Sequence, residues 1–563
     1  MPKPDLIIRN GTVVDGTGGP TRIADVTVHD GVVSEITERA SGSAMKEIDA
    51  EGAWVTPGFI DPHTHLDAQL FWDPTGRPSV QHGVTTVVTG NCGFGIAPCG
   101  NGAEEYLLRC LEAVEEIPYE STSEGVPFGW SNFGSYLDAL DGLDLGVNVA
   151  AMVPHSPLRH SVMGDRASSE EATDSDIQQM SALLRSALAS GAVGFSTSRG
   201  PNHVDGNGEP VPSRLATDAE IRALVAETTG KVWQINIKSK GDPTAVESLA
   251  EVAQYAAWSD EFGVDLSWTP LLVTPGDTVA WRRLADQAAD LSASGSRVVP
   301  QVSPLPLVAS INLSVRSLAE SVTGWETAIR RLNELPTIDR IAVLRDESFR
   351  HLLRTAQENP RAMLAPNYDR WLLASSTTRP DLVGRSMRDV GEVLGVWPTD
   401  ALCDLAIADE LATVVQVPLV NLDADEVAAA VRAGSTLIGL GDAGAHVASI
   451  TNYTYPTFLL SQAAADGDGM LSIEHAIREM TSRPAELFGL TGRGVLEEGA
   501  PADIVVVDPN EVALRPGRRV NDLPGGHARM LQEADGYRSV IVGGVEVLAD
   551  DQPIDVAAGR VLR

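Results

Sequence analysis

Lysine is nearly missing from this chain, with Lys3, Lys46, Lys231, Lys238 and Lys240 the whole complement in 563 residues. Arginine does not make up the deficit: 42 basic against 77 acidic side chains give a formal charge of −35. A surface of that sign repels nucleic acid and anionic membranes, so neither is an expected partner. Cysteine is sparse as well. Cys92, Cys99, Cys110 and Cys403 are too few and too irregularly spaced for a disulfide framework, which fits a reducing cytoplasm. No apolar run reaches membrane length, and the opening MPKPDLIIRNG has no apolar signal segment. These absences predict a soluble, cytoplasmic protein.

A chain of 563 residues is too long for one core, so two or more domains are expected. Short β-type runs broken by glycine occupy the first 54 residues, and similar runs return at 502–508 and 537–550. The two ends therefore predict one β domain, residues 1–54 with 498–563, and the middle, 55–497, must fold as an insertion. That middle alternates near-continuous apolar runs with helical patterns. The runs are 55–61, 84–90, 147–153, 192–197, 232–238, 264–268, 297–303 and 435–441. Such runs suit strands buried on both faces of a parallel sheet, and eight of them predict an α/β fold, a (β/α)8 barrel carrying a small β-sandwich domain. The gap at 304–434 predicts a large helical insertion.

In such a barrel the chemistry sits where strands end. The first run ends in GFIDPHTHLDAQ, where His63 and His65, two apart, can point the same way and grip a metal. The second ends in TGNCGFG, offering Cys92 as a thiolate, and the eighth in GLGDAGAHV, offering Asp442 with His446 four residues on. An aspartate there can cap a helix, bind metal or move a proton. His155 in PHSPLR and Arg199 in STSRG end the third and fourth runs; each reads as loop polarity or as substrate contact.

Taken in order, PGFIDPHTHLD, TGNCGFG, PHSPLR, GAVGFSTSRG and GLGDAGAHV resemble the amidohydrolase superfamily, and within it the N-acyl-D-amino-acid deacylases. The late stretch TSRPAELFGLTGRGVLEEGAPADIVVVD resembles that family's return from barrel to β domain, so the resemblance spans nearly the whole chain. It implies that His63 and His65 hold the first metal position and that Cys92 is the cysteine reaching both positions. It also implies that Asp442 takes a proton from the attacking water and gives it to the leaving group.

The pattern breaks at the second metal position. The family places histidines at the ends of strands five and six, where this chain reads VWQINIKSKGD and VDLSWTPLL, aligning Asn236 and Trp268. Neither replaces an imidazole. The expectation is one divalent metal held by His63, His65, Cys92 and Asp442, with the thiolate favouring zinc over iron or manganese. Trp268 is expected to wall the pocket, and Lys238, which shares the strand parity of Asn236, either faces the mouth or is simply solvated beside Lys240. The lysine by which deacylases contact a substrate carboxylate has no counterpart in WTPLLV. The leading reading is therefore hydrolysis of an amide in a small N-acyl amino acid or related metabolite. Two alternatives stay open: the same barrel and metal used for C–C hydrolysis, decarboxylation or lactone opening, and a non-catalytic ligand-binding homologue. The expected partner is a small-molecule substrate, with self-association into a homo-oligomer left open.

Overall fold

The structure is a computed structural model that describes residues 3–100, 102–238, 244–359, 363–465 and 469–563. Eight parallel strands form the barrel: β1 Phe59–Asp61, β2 Val84–Thr89, β3 Asn148–Pro154, β4 Gly194–Ser198, β5 Val232–Asn236, β6 Asp265–Leu271, β7 Val298–Val302 and β8 Leu437–Ile438. Each pairs with the next in parallel register. Closure comes just beyond the strands proper, where Thr64 bridges Ala443 in parallel. His65 N–H donates to the Ala443 carbonyl at 2.7 Å and Asp442 N–H to the His63 carbonyl at 3.1 Å. The seam of the barrel thus runs through the residues singled out as metal ligands.

The apolar run at 55–61 is two strands rather than one. Trp54–Pro57 belongs to a second sheet, pairing with Ile504–Val507 and, in parallel, with Leu6–Val13. Gly58 makes the crossing: it sits so tightly on the Thr85 side chain that a Cβ would collide with it. The second sheet has nine strands drawn from both chain ends and curls over its own core of Ile8, Val26, Val55, Ile504 and Ile541, the β-sandwich that the sequence leads one to expect.

Between β7 and β8 the chain makes a substructure with a separate core that includes Trp325, Leu353, Trp371 and Leu402. It is not purely helical. Leu307–Ile311, Leu372–Ser375 and Val414–Val420 form a three-stranded antiparallel sheet, and the β-branched VVQVPLV is the signal that a helical reading passes over. RPGRRVNDLPGGHARM (515–530) contributes most of a β-hairpin. Arg518–Leu523 and His527–Leu531 pair as a hairpin, and Met530 N–H donates to the Val447 carbonyl at 2.7 Å, docking the hairpin on the segment after β8. Among the described residues no helix is long and apolar enough to cross a membrane.

Candidate metal centre

His63 and His65 follow β1 with ring centres 5.4 Å apart. One nitrogen from each ring and the Cys92 sulfur lie within 4.8 Å of one another. His63 Nε2 is 3.3 Å from Cys92 Sγ and 3.3 Å from Asp442 Oδ1, and His65 Nε2 is 3.9 Å from the same carboxylate oxygen. The far side of the His63 ring is tied off: Nδ1 is 2.7 Å from Gln301 Oε1, and Gln301 Nε2 donates to Ser267 Oγ at 2.9 Å. An amide oxygen only accepts, so Nδ1 carries the hydrogen and Nε2 keeps a lone pair for the cluster. Behind His65, Nδ1 faces Glu115 Oε1 at 3.2 Å. Burial holds the His63 imidazole below its usual pKa and the His65 imidazole well below it, so both rings are neutral, as ligands must be.

Cys92 is delivered by a strained turn. Gly90 has φ 78°, and a Cβ there would collide with the Met152 carbonyl oxygen. Cys92 itself has φ 54°, a left-handed conformation that costs a non-glycine residue about 1–2 kcal/mol. Four hydrogen bonds hold the turn. Asp67 Oδ2 accepts from the Thr89 hydroxyl and from Gly90 N–H, at 2.5 and 3.3 Å. Cys92 N–H donates to Gln234 Oε1 at 2.8 Å, and Gly93 N–H to Ser196 Oγ at 2.9 Å. Asp67, the acid closing the His-Thr-His-Leu-Asp run, is therefore a strut for the thiol, and burial raises its carboxyl to about 6.

Among the described residues, β5 and β6 bring amides and a hydroxyl, not imidazoles, to the opposite side of the sulfur. Gln234 and Asn236 from β5 each place an amide nitrogen 4.0 Å from Cys92 Sγ, and Gln234 Nε2 also donates to Thr269 Oγ1 of β6 at 3.1 Å. Strand alternation corrects one expectation here. Ser267 and Thr269 engage Gln301 and Gln234 inside the barrel, so Trp268 between them faces the helical layer, fully buried in the apolar core. It is no wall of the site; β6 presents Thr269 there, in register with Asn236.

Above these groups lies a cleft of about 160 Å³. Its floor includes His63, His65, Cys92, Glu115, Asn236, Thr269 and Asp442; Leu272, Leu307, Met363 and Leu440 are its apolar walls; Asn202, His203, Asn452 and His446 add polar atoms. The donor set of two neutral imidazoles, a thiol and a carboxylate fits a divalent cation. A family model described as "Amidohydrolase family" matches residues 46–548. This chain belongs to the amidohydrolase family. D-aminoacylase of Alcaligenes xylosoxydans xylosoxydans is 29% identical over 569 residues, covering 99% of this chain and 97% of the relative. The solved N-acyl-D-glutamate deacylase of Bordetella bronchiseptica, complexed with zinc and a phosphonate inhibitor, superposes with a TM-score of 0.67 at 26% identity, covering 100% of both chains. A D-aminoacylase structure concerned with its binuclear metal centre, "one-metal activation and second-metal attenuation", gives 0.66 at 27% identity and 100% coverage of both. The chain is accordingly a metal-dependent hydrolase of carbon–nitrogen bonds other than peptide bonds.

The remaining residues that the sequence offered to this amidohydrolase site divide sharply. His446 lines the cleft, where burial alone would lower its pKa, but Glu116, Glu115 and Asp442 push it up to about 9. His155 stands away from the cleft, fully buried, with Nδ1 2.7 Å from Thr197 Oγ1 and Nε2 3.0 Å from Glu220 Oε1, which Arg159 also binds. Arg199 is paired with Asp218 at 2.7 Å, and Lys238 is exposed at the barrel rim, its backbone N–H bound by Glu251. None of these three side chains lines the cleft. Lys240 lies outside the described residues. Sequence reasoning missed Glu115, Gln234, Gln301 and His203. His203 sits in the loop after β4, edge-on to Phe94, with Nδ1 2.6 Å from Ser198 Oγ. No periodicity marks it, whereas Gln234 and Gln301 share the inward parity of their strands and were legible in principle.

Proposed function

We propose that this amidohydrolase hydrolyses the amide bond of a small N-acyl amino acid or related metabolite with one bound divalent cation, zinc. The observation that carries this reading is the one-sided convergence on Cys92: His63, His65 and Asp442 on one flank, amides and a hydroxyl on the other. When bound, the cation would lower the pKa of water and polarise a carbonyl. The residues supply the rest. His63 and His65 hold it through ring nitrogens whose opposite faces are occupied by Gln301 and Glu115. Cys92 offers sulfur, and the amide N–H groups of Gln234 and Asn236 lie on its far flank, where they favour the thiolate. Asp442 Oδ1 takes the proton of the attacking water and passes it to the departing amide nitrogen. Leu272, Leu307, Met363 and Leu440 seat the acyl portion and keep bulk water out. That D-aminoacylase shows one-metal activation supports the sufficiency of a single cation.

Metal analysis of the purified protein is expected to give about one zinc per chain, with activity lost on chelation and restored by zinc. Two zinc ions per chain would refute the single-cation reading, and none, with no uptake on reconstitution, would refute metal-dependent catalysis here. A panel of N-acyl amino acids run beside lactones and β-diketones tests the bond: turnover confined to the latter would reject amide hydrolysis.

A further inference from the structure

We propose that Glu115 is a positioning residue for His65: its carboxylate accepts the Nδ1 hydrogen of the ring, fixing Nε2 as the cation-facing lone pair and raising its basicity. The inference rests on the metal reading above, which places Glu115 behind His65 but gives it no part in setting cation affinity.

Glu115 is the last residue of the helix Glu104–Glu115 and is buried at 2% exposure. Burial raises its carboxyl to about 8, so the ionised form is costly unless something pairs with it. Among the described residues, the basic side chain within ion-pair distance is His65, whose Nδ1 lies 3.2 Å from Glu115 Oε1. That nitrogen is buried and makes no aligned hydrogen bond, to Glu115 or to any other group; the Glu115 carboxyl, 3.2 Å away, is the acidic group within reach of it. The backbone keeps the carboxylate in place. The Glu115 carbonyl accepts from Val447 N–H at 3.2 Å, joining the helix end to the segment that carries Asp442 and His446. The next residue, Glu116, turns left-handed at φ 57° and sends its carboxylate elsewhere, to Ser449 Oγ at 2.6 Å and towards His446 Nδ1 at 3.6 Å. Two adjacent acids are thus split between two histidines.

The two cation-facing rings are consequently unequal. His63 is backed by a neutral amide and His65 by an acid. A carboxylate behind a ligating imidazole fixes its tautomer and strengthens it as a donor, and losing such a partner weakens metal affinity about 10–100-fold.

The test is zinc titration against a competing chelator on wild type, Glu115→Gln and Glu115→Asp, with thermal unfolding of each in cation-free form. Glu115→Gln is expected to bind zinc about 10–100-fold more weakly, with a cation-free unfolding midpoint no lower than wild type, and Glu115→Asp to recover part of that loss. Zinc affinity of Glu115→Gln within threefold of wild type overturns the proposal. So does a loss matched by an equal fall in cation-free stability, which marks a structural role only. Should Glu115→Gln fail to fold, Glu115→Asp decides: weaker binding at unchanged cation-free stability supports the proposal, and unchanged binding overturns it. A wild type that binds no zinc overturns the metal reading together with this one, whereas a binding wild type with an equal variant overturns this one alone.

Discussion

The barrel mouth has two flanks around one sulfur, and they are built on opposite principles. On the flank of β1 and β8, both imidazoles are backed by a buried partner: Gln301 behind His63 and Glu115 behind His65. On the flank of β5 and β6, Gln234, Asn236 and Thr269 occupy equivalent inward positions and bind one another or the sulfur. The second flank is not an eroded version of the first, since its donors meet its acceptors within the site. The lesson is that a flank without imidazoles can still engage the sulfur. Amides of similar size can fill the place and hold the same sulfur with N–H groups.

The strongest way to break this comparison is to disable the ligand flank. Asp442→Asn keeps the volume but removes the proton acceptor, and turnover is expected to fall about 10²–10⁴-fold with the fold intact by circular dichroism. Undiminished turnover would place the proton transfer elsewhere. Next in size is conversion of the other flank. Asn236→His with Thr269→His puts imidazoles on the two facing positions that line the cleft. The zinc content is expected to rise from about one to about two per chain by elemental analysis; a content that stays at one would mean the flank is shaped against a second ion by more than its side chains.

Trp268 shows how the sequence could mislead at this point. Counting from the end of an apolar run places a residue at the mouth but does not say which of two neighbours faces inward. Inward parity is set by the Ser267 and Thr269 hydroxyls, which are weak signals in sequence, whereas Trp268 is conspicuous and belongs to the core. The barrel strands were legible because they are buried on both faces and read as apolar runs. His63, His65, Cys92 and Asp442 were legible because their residue types carry chemistry at strand ends. Glu115 was not: it closes a helix far along the chain and reaches His65 only after folding. His155 and Arg199 also sit near strand ends, but Glu220 and Asp218 claim them. Trp268→Ala is therefore expected to destabilise the protein by about 3–5 kcal/mol in thermal unfolding while leaving the zinc content of the folded fraction at one. A specific rise in KM at unchanged stability would instead return Trp268 to the pocket.

The smallest effect is the most discriminating. Thr269→Val is nearly isosteric and removes one hydroxyl, the acceptor for Gln234 Nε2 at 3.1 Å. Gln234 would keep its other contacts, since its Oε1 still accepts from Cys92 N–H at 2.8 Å and its Nε2 stays 4.0 Å from Cys92 Sγ. The sulfur therefore stays in place, and the cost is one buried donor left short of an acceptor, about 1–3 kcal/mol. Zinc affinity measured by chelator competition is expected to stay within about twofold, because nothing on the ligand flank moves. If affinity instead falls by the tenfold or more typical of a lost metal partner, Thr269 is a participant in cation binding. The amide flank would then have to be read as a second, weaker half of the metal site rather than as its replacement.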